Sequence, residues 1–352
     1  MPANRWRGLL GALCVIATLG GAQADEISRY ETSASGGSER LRLFALTRIF
    51  DRYAYDPQVR YALREELTRQ GHFYDGSGSR VLRQEVWAAP LVEYSQNLNG
   101  GVLNDRFRFG GLVFEADPQI RAKSGWLTGA RVGTFTRVAL SDDTLLDLVG
   151  AAELGYAPAH DISRTSAQVQ ACLRHSLTGW NFVDLCQGMA QTRWDLGRSK
   201  TRSTRIRLST LRQISDTYHE AWIEAEHTET NATSQNAMTI GLRSIFDGLA
   251  PYGSISVGAD VEGEIAPKLR LNAGVEFPKG GRIFEAFVWA QRAEGGRFLG
   301  TDRQDETYGA GLSAELARGQ SVEVSYSENH SNIAFFDYSQ VELKFRFRDI
   351  RW

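Results

Sequence analysis

The chain has 352 residues, a formal net charge of −2 and a negative mean hydropathy, and it contains 35 glycines, 8 tryptophans and 12 tyrosines. A net charge near zero argues against a nucleic-acid-binding protein, because such proteins carry a basic excess on one face. A negative mean hydropathy does not exclude a membrane β-barrel, because the strands of a barrel are apolar only at every second position.

The amino terminus has the pattern of a secretory signal. Arg5 and Arg7 precede an apolar run over residues 9–19, and the small-residue site Ala22–Gln23–Ala24 follows. The run is too short to be a transmembrane helix, and no later stretch has eighteen uninterrupted apolar residues. We therefore predict that residues 1–24 are a signal peptide that is removed on export.

Residues 25–84 differ in kind from the rest and predict a short helical hairpin. Apolar residues recur with a helical period between Leu41 and Phe50, and again between Asp56 and Gly71. Asp56 is expected to cap the second helix and Gly71 to end it. Two helices bury little apolar surface alone, so we expect this periplasmic region to pack on the mouth of the barrel or on a partner.

Alternation of apolar and polar residues recurs along the remaining chain. Ala221, Ile223 and Ala225, for example, alternate with glutamates and a tryptophan over the length that a tilted membrane strand needs. The apolar residues are expected to face lipid and the charged ones the lumen. Candidate lumen-lining residues are Arg205, Arg207, Glu220, Glu224, Arg270, Glu276 and Glu323. Ordinary hydration or mutual ion pairing is the alternative explanation for each of them.

The spacing of these segments predicts an all-β fold, a transmembrane antiparallel up-and-down β-barrel over residues 85–352. Fifteen candidate strands reduce to fourteen when residues 97–126 form one external segment that contains a ribbon at Arg106–Phe114; sixteen strands are the alternative. The count rests on alternating connection lengths, because such barrels pair short periplasmic turns with longer outer loops. Longer connections are expected at residues 158–165, 195–202, 228–236, 293–305 and 331–335.

The two cysteines that remain after signal removal lie symmetrically about a short turn. Cys172 and Cys186 are equally distant from Gly179, which places them side by side on adjacent antiparallel strands. The periplasm is oxidising, so we predict a disulfide; two unpaired buried thiols are the alternative. No histidine or further cysteine accompanies them at ligand spacing, so a metal site is not expected.

The carboxyl end has the pattern of a barrel delivered to a bacterial outer membrane. Apolar and charged residues alternate up to Phe347, and a bulge near Arg348–Asp349 is needed to keep the later apolar residues on the same face. A secreted β-sandwich or a soluble barrel is the alternative. The predicted signal for the barrel assembly machinery consists of Phe345, Phe347, Ile350 and Trp352.

Short stretches at both ends of the barrel resemble a known family. They are Pro90–Tyr94, Asn97–Gly101, Phe109–Phe114, Arg121–Gly125, Glu328–Asn332 and Phe336–Tyr338. In these the chain resembles the barrel domain of the surface lipoprotein assembly modifiers, outer-membrane proteins that move lipoproteins or related small proteins to the cell surface. The resemblance spans roughly residues 86–352. Family members usually carry a longer periplasmic array of helical repeats, for which this chain has no room.

Two classes of function follow. The resemblance implies that a lipoprotein or small secreted protein client is translocated or handed over to the cell surface, with the segment Asn97–Gly125 as a lid, a plug or a plain surface loop. The alternative is a porin-like channel for small solutes. An enzyme is not expected, because no catalytic motif is present and His219 and His227 fall on the lipid-facing phase. Neither a cofactor nor a nucleic acid is expected. Besides a client, the expected partners are outer-membrane lipid and the barrel assembly machinery.

Overall fold

The computed structural model of the protein describes residues 26–35, 37–72, 78–109, 111–231, 233–317 and 319–351. The predicted signal peptide and Trp352 lie outside these ranges. The helices are α1 (Glu26–Ser35), α2 (Glu39–Arg52) and α3 (Pro57–Arg69), and a short 3-10 helix covers Ala334–Phe336. The strands are β1 (Arg80–Ser95), β2 (Arg106–Phe109), β3 (Leu112–Glu115), β4 (Gly125–Ser141), β5 (Thr144–Ala157), β6 (Ile162–Ser176), β7 (Asn181–Trp194), β8 (Gly197–Ile214), β9 (Thr217–Thr230), β10 (Thr233–Ile245), β11 (Ala250–Gly258), β12 (Ile265–Lys279), β13 (Arg282–Phe298), β14 (Thr301–Ala317), β15 (Gln320–Ser331), β16 (Tyr338–Arg346) and β17 (Ile350–Arg351).

The long strands form a closed antiparallel barrel of fourteen strands. Strand β1 pairs with β4, each strand from β4 to β15 pairs with the next along the chain, and β16 pairs with β1 to close the sheet. The short β17 continues β16 along β1. The predicted up-and-down topology and strand number are therefore confirmed. Strands β2 and β3 form the separate hairpin that the sequence predicted inside the first external segment.

The outer surface of the barrel is apolar. Residues of the lipid-facing phase are well exposed, with Ile206 and Leu208 each at 50% and Leu312 at 66%. The alternate positions on the same strands are charged or polar and point inward. A closed barrel with an apolar exterior and a polar lumen is the architecture of bacterial outer-membrane proteins, and this protein is one.

Four of the five predicted outer loops are shorter than expected, and the fifth lies at residues 332–337, close to its predicted place. Strands β6 to β10, β13 and β14 extend into residues 158–165, 195–202, 228–236 and 293–305. Three of these connections are therefore tight turns at residues 158–161, 195–196 and 299–300, and only two residues separate β9 from β10. The error arose because the outer ends of these strands are polar on both faces and lack the alternation that marks a strand. The long connection at residues 96–124 remains.

The helical region has three helices instead of the predicted hairpin of two. Helix α1 was missed because it has only two large apolar residues, Ile27 and Tyr30, which give little periodic signal. The side chain of Asp56 caps α3 by accepting a hydrogen bond from the Gln58 amide at 2.8 Å, as predicted. No helix in the described ranges is both long and apolar enough to cross a bilayer.

The helices fill the mouth of the barrel at the end opposite the long connection of residues 96–124. The longer loops of such barrels are external, so the helices lie at the periplasmic end. Leu41, Phe44 and Ala45 of α2 are buried against inward-facing strand residues. Phe44 makes edge-to-face contacts with Trp180 and Tyr218, at ring-centroid distances of 5.0 and 5.5 Å. The strand residues of this apolar cluster are Phe182, Leu211, Tyr218, Ile245 and Ala250. We call the three helices the plug.

The disulfide between Cys172 and Cys186 is present. The two residues are directly opposite in the ladder between β6 and β7, with their Cα atoms 4.1 Å apart. The sequence predicted this pairing from the symmetric placement of the cysteines about the turn. The bond joins two strands near the level at which α2 contacts the barrel wall.

The barrel closes through an interrupted seam. Strand β1 pairs with β16 at Leu91–Tyr94 and with β17 at Trp87–Ala88, and the register shifts by one residue between the two stretches. This shift is the bulge that the sequence predicted, and it keeps Ile350 exposed on the lipid-facing phase, at 66%. The role of the terminal aromatic and apolar residues in assembly remains a prediction.

Candidate functional site

A polar cavity lies in the lumen directly above the plug. Its volume is about 690 Å³, and its floor consists of Gly37, Ser38 and the first two residues of α2, Glu39 and Arg40. Seven arginines and six carboxylates line it. They are Arg40, Arg83, Arg137, Arg174, Arg207, Arg243 and Arg351 with Glu39, Glu85, Asp147, Asp184, Glu220 and Asp349.

The first two residues of α2 reach ion-pair partners on the barrel wall. The Arg40 guanidinium donates to both carboxylate oxygens of Asp184, at 2.9 and 2.6 Å, and to the Ser209 hydroxyl at 3.0 Å. Asp184 also lies 3.6 Å from Arg174, which contacts Asp147 at 3.0 Å. The bidentate geometry makes the contact between Arg40 and Asp184 stronger than a single hydrogen bond.

Arg137 is the centre of the network and is 2% exposed. Its Nε and Nη2 atoms donate to the two oxygens of Asp147 at 2.7 and 2.8 Å, and Nη2 donates to Glu39 at 2.9 Å. Glu39 in turn lies 3.6 Å from Arg83 on β1. A buried charge is tolerated only when it is paired and hydrogen-bonded, and Arg137 meets both conditions.

The network continues to the seam. Arg83 donates to Glu85 at 2.5 Å, and Arg351 of β17 lies 3.3 Å from Glu85. Ion pairs thus run from β7 through β6, β5, β4 and β1 to the last strand, and they pass through the first residues of α2. We call this set the charge belt: Arg40, Asp184, Arg174, Asp147, Arg137, Glu39, Arg83, Glu85 and Arg351.

Neighbouring arginines keep the Glu39 carboxyl ionised. Burial raises the pKa of the Glu39 carboxyl, but Arg137, through its charge and its hydrogen bond, and the charges of Arg174 and Arg42 lower it further, so the pKa lies below its ordinary value. Glu39 is therefore ionised at neutral pH and holds α2 to the wall by charge.

Further hydrogen bonds attach the plug to the barrel. Ser38 caps α2 and also donates to Glu220 at 2.5 Å, while Arg29 of α1 donates to the carbonyl of Asp216 at 2.6 Å. The Gly248 amide donates to Thr32 at 3.0 Å. The plug is therefore fixed to two periplasmic turns as well as to the wall above them.

Two tryptophan rings lie against the inner wall, because each is opposite a glycine on the next strand. Trp87 is opposite Gly133 and Trp222 is opposite Gly241. A Cβ atom on either glycine would lie 2.3 or 2.1 Å from the tryptophan ring. The Arg207 guanidinium lies 5.2 Å from the centre of the Trp222 ring, a cation–π distance. The glycines thus allow large rings to lie along the wall without blocking the lumen.

The segment of residues 96–124 reaches across the outer mouth. The Asn99 side chain is fully buried and bonds to the backbone of Arg121 and Lys123, at 2.8 and 2.9 Å. The Asn99 carbonyl accepts from the Leu196 amide at 3.1 Å, and Asn104 donates to the Ala334 carbonyl at 2.6 Å. The segment is therefore fixed to two separate outer connections.

The residues that the sequence singled out fall into three groups. Arg207 and Glu220 line the cavity. Glu224 forms ion pairs with Arg207 at 2.7 Å and with Arg205 at 3.6 Å. Glu276 of β12 pairs with Arg243 of β10 at 2.9 Å, across the intervening strand β11. The last two lie apart, Arg270 beside Asn272 at 3.1 Å and Glu323 beside Arg346 at 3.4 Å. The sequence-predicted set is therefore not one cluster.

None of the nine residues of the charge belt was among the candidates from the sequence. Asp147 lies between Leu146 and Leu148, so strand alternation marks it as inward-facing. Arg137 follows a Thr-Phe-Thr stretch, in which apolar and polar residues do not assign the charged residue to the lumen. Their mutual contact had no signal in the sequence, because it depends on the register between β4 and β5. The contribution of Glu39 and Arg40 was missed because the plug was placed only at the mouth or on a partner.

Within the described ranges, His, Cys, Asp and Glu side chains form no group of three or more that could hold a metal ion. No family model and no curated protein matches the chain. The resemblance to the surface lipoprotein assembly modifiers therefore has no support beyond the barrel itself.

Among solved structures the chain is similar to the outer-membrane protein OpdK of Pseudomonas aeruginosa, with 9% identity over 78% of this chain and 100% of that chain and a TM-score of 0.41. It is also similar to OprB of Pseudomonas putida, with 8% identity over 83% of this chain and 96% of that chain and a TM-score of 0.42. The assignment as an outer-membrane barrel rests on the strand order and the apolar exterior described above.

Proposed function

We propose that the protein is an outer-membrane channel for small polar solutes whose periplasmic end is closed by the plug. The observation that carries this proposal is the cavity above α2, which is lined by thirteen charged side chains and has a volume of about 690 Å³. That volume is in the range of small-molecule sites, which are about 300–1,000 Å³. A charged, hydrated lumen of this size suits a solute better than a protein client.

The closed state follows from the contacts of α2. Its apolar residues bury against the wall below the cavity, and Glu39 and Arg40 pair with the wall at the level of the cavity. Passage of a solute requires these contacts to loosen. Ion pairs are suited to such a gate, because alternative partners on the wall, such as Arg174 for Asp184, keep the charges compensated when α2 moves.

Liposome swelling with solutes of graded size tests the proposal. The mature protein is compared with the double variant Glu39→Gln, Arg40→Gln, which keeps side-chain size but removes the charges that hold α2. We expect the variant to admit small sugars and amino acids several-fold faster than the wild type. The control, Arg48→Gln with Asp51→Asn, removes an exposed ion pair of the same helix that does not contact the wall. Equal swelling of all three proteins, with insertion verified, would contradict the proposal.

Handover of a lipoprotein or small protein client is a second candidate, and it rests on the interrupted seam. Strand β1 pairs across the seam at only six positions, and Pro90 in the gap has no amide hydrogen to donate. A disulfide engineered at the lipid-facing pair Tyr94→Cys, Leu343→Cys would lock the seam. Loss of one or a few surface proteins in the locked strain, with restoration by reductant, would support handover; an unchanged surface would exclude it.

A further inference from the structure

The periplasmic side of α3 has few contacts. Of its thirteen residues only Glu66 is buried, and Glu66 is polar. The helix is held by Arg42, which donates to Glu66 at 2.8 Å, and by Gln70, which donates to the Glu39 carbonyl at 2.8 Å. Helices in proteins derive most of their stability from packing an apolar face, and α3 buries very little of one.

Two tyrosines of the plug stand out by their exposure. Tyr55 is 98% exposed and Tyr61 is 71% exposed, the highest values of any large apolar or aromatic side chain in the described residues. Exposed apolar side chains on the barrel wall face lipid. These two are on the plug and face the aqueous periplasm, where exposed aromatic rings mark contact surfaces.

Two arginines share the face of α3 with Tyr61. Arg60, Tyr61, Arg64 and Thr68 are spaced at intervals of one, three and four residues, so they lie on one side of the helix. Neither Arg60 nor Arg64 contacts a carboxylate of the described chain, whereas every other arginine of the plug pairs with a carboxylate or a backbone carbonyl. Among the described residues, the positive charge of this face is therefore uncompensated.

We propose that this face of α3, together with Tyr55, binds an acidic segment of a periplasmic protein. Tyrosine and arginine are the residue types that contribute most to the centres of protein interfaces, and the two free guanidinium groups select carboxylates. One helical face is a small contact area, so the complex is transient. This inference does not depend on solute conduction, since the surface lies on the side of the plug opposite the cavity.

The test uses the mature protein in nanodiscs of phosphatidylcholine and two fluorescein-labelled peptides. One peptide alternates aspartate and glutamate with leucine and phenylalanine; the other has lysine in place of each acidic residue. Fluorescence anisotropy gives both affinities. We expect the acidic peptide to bind at least tenfold more tightly than the lysine peptide, and to lose affinity as salt is raised.

Two variants of this face of α3 locate the binding. Arg60→Glu with Arg64→Glu should weaken the acidic peptide at least tenfold, and Tyr61→Ala should weaken it as well. The control, Arg106→Glu with Arg297→Glu, makes the same change in net charge on the outer side of the barrel, at positions 70% and 76% exposed, and should leave binding unchanged. Heat-modifiable mobility on gels verifies that each barrel is folded.

Three results would overturn the proposal. One is equal affinity for both peptides, and another is unchanged binding by the Arg60 and Arg64 variant. The third is no peptide binding together with binding of phosphatidylglycerol vesicles that requires Arg60 and Arg64, which would identify a lipid surface instead of a protein as the partner.

Discussion

At the scale of single residues, Arg137 shows how the barrel wall and the plug are joined. Its side chain is 2% exposed, and it bonds at once to Asp147 of the wall and to Glu39 of α2. One guanidinium thus compensates a carboxylate on each side of the contact. Removal of a partner from a buried ion pair leaves an unpaired charge, which costs more than the pair itself contributes.

We therefore predict that Arg137→Ala lowers the free energy of unfolding by about 3–5 kcal/mol, because Asp147 and Glu39 lose their main partner. Urea titration of the barrel in lipid vesicles, followed by tryptophan fluorescence, measures the change. Arg106→Ala serves as the control, since it removes an ion pair whose arginine is 70% exposed. A loss for Arg137→Ala no larger than that for the control would contradict this account of the network.

The second prediction at this scale concerns pH and Glu39. Its pKa is lowered in the folded protein, so the stabilisation that it gives is complete above the pKa of an unfolded glutamate and is lost as pH falls through the lower, folded value. The groups that face it are Arg83, Arg137 and Arg174 of the wall and Arg42 of its own helix.

The conductance of the wild type should thus stay low from neutral pH down to about 4 and rise below it. Other carboxylates of the charge belt also protonate in acid, so the comparison with Glu39→Gln isolates this residue. The variant should conduct at neutral pH and show a smaller rise in acid. Identical pH profiles for the two proteins would exclude a role for the Glu39 charge.

At the scale of elements, the sequence predicted the parts of the molecule that depend on local pattern. Strand alternation found the lipid-facing residues, and the symmetry about Gly179 found the disulfide. Helix α1 was missed, because a helix held by polar contacts such as Arg29 with Asp216 has no apolar period. The outer strand ends were read as loops, because polar strands outside the membrane do not alternate.

The disulfide supports a prediction at this scale. The double variant Cys172→Ser, Cys186→Ser should lower the free energy of unfolding by about 3 kcal/mol, the value expected for closing a loop of this size. Urea titration of wild type and variant without reductant gives the difference. Dithiothreitol should then abolish the gap between the two proteins, and a gap that persists in reductant would point to the serines themselves.

The last strand, β17, supports a second prediction at this scale. Deletion of residues 348–352 removes β17 and its two pairs with β1, and with them part of the predicted assembly signal. We expect a several-fold lower yield of folded barrel in the membrane, measured by heat-modifiable mobility. The matched control is Arg348→Ala, which keeps the strand and its length. A normal yield from the truncated protein would show that the terminus is dispensable for assembly.

At the scale of the whole molecule, different parts of the chain lie at the two ends of the barrel. The plug fills the periplasmic mouth, and residues 96–124 reach across the outer one. The fold class and the strand number followed from the sequence, and the mouth of the barrel was one of the two positions expected for the helices, but the depth to which α2 enters the lumen was not predicted. That position depends on long-range pairs such as Arg40 with Asp184, which are 144 residues apart.

The central claim is that the plug closes a solute channel, and single-channel recording in planar bilayers tests it most directly. Wild type and the Glu39→Gln, Arg40→Gln variant are recorded in the same salt at neutral pH. We expect rare, brief openings for the wild type and long openings of uniform conductance for the variant. No conductance from either protein, with folded barrels present in the bilayer, would contradict the claim.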